Sequence, residues 1–207
     1  MQIFIRILFL FFLLSPFVTS SQPILQIKAG VNRSSMNMEY NDYRWGFHAG
    51  GAARFDLSTE FYLQPELLFN VKGTKVHDDI FVIPGYELEY VFDYLTVPLV
   101  AGIRLGDVAS LQVGPEINFL LSGSFNLTGD PDRLENFHPT TDFGILGGLD
   151  FHAGHKWEIG LRYEYGLTDI PEVTIVDENG LSLGQIPGGN NRNLQLSVGY
   201  ILGANQE

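Results

Sequence analysis

The sequence predicts an all-β fold: an eight-stranded, antiparallel, up-and-down transmembrane β-barrel. Three observations predict it. Apolar and polar residues alternate over segments of about 9–15 residues, long for a globular sheet but long enough to cross a bilayer at a tilt. The connections between segments are alternately tight and long. Glycine and charge share one parity, while aliphatic and aromatic residues hold the other.

The chain opens with Arg6, an apolar run through Leu14, then Pro16, Thr19, Ser20 and Ser21. That order predicts a signal peptide over residues 1–21, cleaved to leave a barrel domain over 22–207. The apolar run is short for a spanning helix. The absence of cysteine excludes a lipid-anchor site, a disulfide framework and thiol chemistry. A formal net charge of −12 argues against nucleic acid as a partner.

The strands follow in order. Leu25, Ile27, Ala29 and Val31 alternate with Gln26, Lys28, Gly30 and Asn32. Trp45, Phe47, Ala49, Gly51, Ala53 and Phe55 oppose Arg44, Gly46, His48, Gly50 and Arg54. Phe61, Leu63, Leu67, Phe69 and Val71 oppose Tyr62, Gln64, Glu66, Asn70 and Lys72. Further segments run from about Val91 to Leu105, Leu111 to Phe125 and Phe143 to Ala153. Next, Trp157, Ile159, Leu161, Tyr163 and Tyr165 alternate with Glu158, Gly160, Arg162, Glu164 and Gly166. Leu194, Leu196, Val198, Tyr200 and Leu202 close the set.

Tight turns are expected at Asp56–Glu60, Gly106–Ala109 and Gly154–His155. Long connections are expected at Ser34–Tyr43, Thr74–Glu89, Asn126–Pro139 and Thr168–Asn191. Two of these contain hairpin signals, Asn179-Gly180 within "TIVDENGLSL" and Pro84-Gly85 within "IFVIPGYELEY". Both hairpins are expected to project beyond the membrane.

Which face points inward decides between a soluble and a membrane barrel. The polar parity carries Lys28, Arg44, Arg54, Lys72, Arg104 and Arg162 against Glu66, Glu116, Asp142, Asp150, Glu158 and Glu164. Buried ions need partners, and a closed interior enforces such a balance of signs. Gly30, Gly102, Gly144, Gly148, Gly160 and Gly166 share that parity, where small residues make room for long charged ones. Aromatic residues such as Trp45, Phe61, Phe125, Phe143, Phe151, Trp157 and Tyr165 lie near strand ends on the apolar parity, as in interfacial girdles. The apolar face is therefore predicted to meet lipid. A soluble, lipocalin-like ligand carrier is the alternative, but it accounts for neither glycine placement nor loop asymmetry. Pro65, Pro98 and Pro115 fall inside strands and are expected at bulges. Asp93 falls on the lipid parity and is expected near an interface.

"KAGVN" (28–32), "LQPELLFNVKG" (63–73), "YLTVPLVAGIRL" (94–105), "VGPEINFLLSG" (113–123) and "DFGILGGLDF" (142–151) resemble strands of the PorT-like outer-membrane β-barrel proteins common in Bacteroidetes. "LRYEYGLTDI" (161–170) followed by "NRNLQLSVGYIL" (191–202) is the most specific part of the resemblance. It spans nearly the whole mature chain and implies an eight-stranded barrel in the outer membrane of a Gram-negative bacterium. The family's name-giving member is associated with gliding and protein secretion, and the resemblance supplies no catalytic motif.

A barrel of this size is filled by its own side chains, which disfavours a diffusion channel. A lipid-modifying enzyme, the second alternative, needs a nucleophile within reach of a His and an orienting acid. His48 and His152 point inward at opposite ends, and His77, His138 and His155 lie in loops or a turn. "HDD" (77–79) and "GDPDRLE" (129–135) are acidic but match no cation-binding loop pattern. No catalytic residue, metal site or cofactor is therefore expected. The expected role is that of a monomeric, non-enzymatic barrel in outer-membrane lipid, with a protein partner engaged through the loops at 74–89 and 168–191.

Overall fold

The computed structural model describes residues 22–37, 41–77, 87–127, 130–133, 141–168, 173–176, 182–186 and 189–202. For residues 41, 76–77, 87–88, 125–127, 130–133, 173–176 and 182–186 the description is of the backbone alone. The leader predicted over 1–21 lies outside the described residues.

The strands are β1 (Ile24–Met36), β2 (Asn41–Asp56), β3 (Phe61–His77), β4 (Glu87–Leu105), β5 (Ala109–Leu127), β6 (Asp130–Arg133), β7 (Thr141–Ala153), β8 (Trp157–Gly166), β9 (Val173–Val176), β10 (Ser182–Ile186) and β11 (Asn191–Ile201). Eight of them form the wall. Each of β1 to β5 pairs with the next, β5 pairs with β7, β7 with β8, β8 with β11, and β11 returns to β1. All these pairings are antiparallel, and because the circuit returns to β1 the sheet closes on itself and leaves no edge.

Period-two alternation makes the two faces. Val113 is 61% exposed and its neighbour Gln112 only 1%; Leu161 is 46% exposed and Arg162 only 2%. The apolar set points outward and the polar set fills the lumen. This inversion of a soluble core is stable only where the surroundings are hydrocarbon. Trp45, Phe61, Phe143, Phe151, Trp157 and Tyr165 all stand on the outer face. The side chain of Phe125 lies outside the described residues.

Leu105 to Ala109 and Ala153 to Trp157 close in tight turns, with Gly106 (φ 68°) and Gly154 (φ 72°) in the left-handed region that favours glycine. At the opposite end, much of what reads as loop is strand. Ser34–Met36 belong to β1, Asn41–Tyr43 to β2, and His77, expected in a loop, ends β3 opposite Glu87 of β4. β4 and β5 each run 19 residues, beyond the length expected from the alternation alone. The β9–β10 pairing forms the arms of the hairpin expected around Asn179-Gly180, whose tip lies outside the described residues, as does Pro84-Gly85.

The bulge expectation for the prolines is corrected. Bulges fall between Tyr43 and His48 on β2 and on β5 opposite Asp93 and Tyr94, where Leu121 is the extra residue. Around Pro65, Pro98 and Pro115 the ladder is interrupted but its register is kept: Pro65 opposes Leu99, and pairing resumes at Leu68–Thr96. On the other side of β4, Pro98–Glu116 and Ala101–Val113 share one register. A one-residue slip would carry every following side chain to the wrong face. Losing a donor is the smaller cost. Asp93 lies on the outer face near the loop end, accepting a hydrogen bond from Ser122 Oγ at 2.6 Å.

Candidate functional site

The only concentrated polar chemistry among the described residues is the lumen, and it divides into two halves. Toward the turns, Arg54 of β2 forks onto Glu158 of β8 at 2.7 and 2.8 Å, and Gln26 donates to the same carboxylate at 2.6 Å. Arg54 Nε donates to Gln64 at 2.8 Å, and Gln64 donates to Glu66 at 2.6 Å. Glu66 is the hub: it receives both terminal nitrogens of Arg162 at 2.7 and 2.9 Å and Lys28 Nζ at 3.2 Å. Arg162 Nε donates to Gln112 at 2.8 Å, which in turn donates to Tyr62 Oη and to Asp150. Planar guanidinium forks suit such bidentate pairs, and each carboxylate gains geometry as well as charge.

Toward the loops, Lys72 of β3 is the organising cation. Its Nζ lies 2.7 Å from Glu164, 3.7 Å from Glu116 and 3.3 Å from Asn118 Oδ1. Asn118 also donates to Glu116 at 2.9 Å, and Asn193 donates to Glu164 at 2.9 Å. Asn191 reaches Tyr94 Oη at 3.2 Å, placing that hydroxyl inside the same group. Asp142 completes it at the loop end of β7, 5% exposed.

Arg44 and Arg104 lie at the outer ends of these halves. Arg44 pairs with Glu89 at 2.9 Å near the loop end, and Arg104 pairs with Asp56 beside a turn. The expected balance of signs is corrected accordingly. Deep in the lumen Lys28, Arg54, Lys72 and Arg162 face Glu66, Glu116, Asp142, Asp150, Glu158 and Glu164. The turn half holds three cations and three carboxylates, the loop half one cation and three carboxylates. Parity places a residue on a face but not at a depth, and the two missing cations lie at the ends. The Arg104 pair is part-exposed and the guanidinium also lies 5.3 Å from the centroid of the Tyr62 ring, so Arg104→Ala is expected to cost about 1–2 kcal/mol in a urea unfolding titration.

The uncharged members of the network, Gln26, Gln64, Gln112, Asn118, Asn193, Tyr62 and Tyr94, carry no signal in a search for ions. Their shared inward parity is the signal that finds them. Gly102 shows why the lumen uses glycine: a Cβ there would enter the Tyr62 ring. Gly102→Val should displace that ring and destabilise the barrel by about 1–3 kcal/mol, read from the urea midpoint.

One chain of contacts was hidden by counting histidines alone. Ser110 Oγ lies 2.9 Å from His152 Nε2, and His152 Nδ1 lies 3.1 Å from Glu158 Oε1. The distances are those of a nucleophile, a base and an orienting acid. The surroundings differ: Ser110 is 0% exposed, and Arg54 occupies both oxygens of Glu158. Ser110 also lies within paired strands, opposite Arg104 and Asp150, so nearby amides serve the ladder. Among the described residues, no acidic or imidazole cluster forms a metal cage by itself.

No curated protein matches the sequence. Among solved structures, the fold is similar to Neisserial surface protein A, NspA, with a TM-score of 0.52 and 12% identity over 87% of this chain and 97% of that one. It is also similar to OprG from Pseudomonas aeruginosa, with a TM-score of 0.50 and 10% identity over 88% and 97% of the two chains. Ail, the attachment invasion locus protein of Yersinia pestis, aligns over 88% of this chain and 100% of its own at 15% identity and a TM-score of 0.49. At such identities NspA and OprG speak to fold alone. Residues 18–172 match the family described as outer membrane protein beta-barrel domain, and the chain belongs to that family, as an integral barrel of the Gram-negative outer membrane.

Proposed function

We propose that this barrel is a non-enzymatic anchor whose long-loop end presents strand extensions to a protein partner at the cell surface. The observation that carries the reading is the length of the wall at that end. A transmembrane strand needs about 9–11 residues, yet β4 and β5 each have 19, and β9 and β10 add a further hairpin. The lumen is filled by ion pairs and amides, which leaves the extensions as the part free to recognise something. The segments at 74–89 and 168–191 are the proposed contact. The PorT-like resemblance belongs to this proposal, as an accessory role in secretion, gliding or surface interactions by a monomeric barrel. A tag inserted after Gly85 or Asn179 should be reached by antibody on intact cells, and one at Gly106 should not. The opposite pattern would put the long loops in the periplasm and end the reading. Crosslinking from residues 74–89, followed by mass spectrometry, then identifies the partner.

A hydrolase is favoured by one observation, the Ser110–His152–Glu158 chain. A fluorophosphonate probe distinguishes the two readings. No labelling is expected, because Ser110 is enclosed; labelling that disappears in Ser110→Ala would establish the enzyme.

A further inference from the structure

The loop half of the lumen has more negative charge than its own residues neutralise. Lys72 Nζ contacts Glu164 at 2.7 Å and Asn118 at 3.3 Å. It meets Glu116 Oε1 only as a longer ion pair at 3.7 Å, so one cation is shared by the carboxylates of this half. Arg162 commits its two terminal nitrogens to Glu66. His48, the imidazole nearest this half, gives Nδ1 to Asn32. Four oxygens here have no hydrogen-bond partner: Glu116 Oε2, Asp142 Oδ2, Asn191 Oδ1 and Asn193 Oδ1. Their residues are 2%, 5%, 9% and 1% exposed, so bulk water does not serve them.

The register brings these four residues to one patch of wall. Glu116 opposes Gly144, and Gly144 opposes Gly166. Gly166 faces the backbone of Asn191, because a Cβ there would meet Asn191 N and O. Two glycines thus form a floor between β5 and β11. A Cβ on Gly144 would meet Glu116 Oε1, so that carboxylate leans over the floor. Asp142 opposes Asn118, one inward step above, and Asn193 opposes Glu164, one inward step below. Asn193 Nδ2 donates to Glu164, a carboxylate that can only accept, which fixes that amide with its oxygen open. Asn191 Nδ2 lies 3.2 Å from Tyr94 Oη with its own oxygen unpaired.

We propose that this patch binds one divalent cation of the Ca²⁺ type, held over Gly144 and Gly166 by Glu116, Asp142 and the amide oxygens of Asn191 and Asn193. Two carboxylates supply the charge the cation neutralises, and amide oxygen and water complete its shell. Ca²⁺ takes about 6–8 oxygen ligands in flexible geometry, whereas Mg²⁺ demands a near-ideal octahedron. Donors fixed on three separate strands meet the first requirement more readily than the second. The inference stands independently of the proposed partner at the loops.

The test uses the full refolded barrel in detergent, stripped with chelator and titrated calorimetrically with Ca²⁺ alone. One site per chain is expected. The unfolding temperature should rise with Ca²⁺ beyond the rise in Mg²⁺ or K⁺ at equal ionic strength. The double variant Glu116→Gln/Asp142→Asn should lose affinity by about tenfold or more, since charge count sets affinity in oxygen sites. Its chelated form should unfold no sooner than the wild type, because two unneutralised charges are gone. No Ca²⁺ uptake by the wild type would overturn the proposal. So would unchanged uptake in the variant, which would place the ion elsewhere, or stabilisation by acid without any cation effect, which would assign the neutralising charge to protons.

Discussion

Arg162→Ala is expected to destabilise the barrel by about 3–5 kcal/mol, the range for breaking a buried pair and stranding its partner. Arg162 is 2% exposed, and its guanidinium holds both oxygens of Glu66 while Nε holds Gln112. The alanine variant leaves Glu66 with Lys28 and Gln64 as partners, which points to the lower end of that range. Glu66→Gln should be at least as harmful, because Lys28 loses its carboxylate while Arg162 keeps only Gln112 and the longer contact to Asp150 at 3.9 Å. Urea titrations of folding into lipid vesicles read both numbers from the midpoint and slope. Arg162→Met separates charge from packing, since methionine refills much of the volume without the charge. A methionine variant as stable as wild type would mean that the guanidinium is a space filler. The expected outcome is a loss close to that of alanine.

How much of this was legible in the sequence depends on what each pattern encodes. Alternation fixes a face, so the inward position of Arg162 and the outward position of Leu161 follow from their one-residue separation. Closure follows too, because eight such segments with tight turns at one end leave no other way to satisfy every ladder. Depth does not follow. Arg44 and Arg104 share the parity of Arg162 yet meet Glu89 and Asp56 at the ends, since height in a tilted barrel depends on cross-strand register. Register also hid the Ser110–His152–Glu158 chain, whose members come from β5, β7 and β8. The prolines misled for a different reason. A missing donor reads locally as a reason to bulge, whereas the parity of three whole strands, a global constraint, kept the register intact around Pro65 and Pro98.

Leu161→Arg tests the outer face with nothing but a change of neighbour. Leu161 lies at mid-strand on β8, opposite Leu149 of β7 and Leu196 of β11, in a wall of exposed aliphatic side chains. In water a leucine exposed to this degree tolerates arginine at little cost. In hydrocarbon the arginine costs about 2–4 kcal/mol near the midplane, declining toward an interface where the side chain can snorkel. The same substitution at Tyr165, near the loop end of β8, should therefore cost less than at Leu161. A graded series along Leu161, Tyr163 and Tyr165 separates lipid from ordinary packing, because packing loss has no reason to follow depth. Folding of each variant into vesicles under urea supplies the series. A flat profile with a neutral Leu161→Arg would remove hydrocarbon from the outside of the barrel. The expected profile falls from Leu161 toward Tyr165, as a charge moved from the bilayer interior to its surface requires.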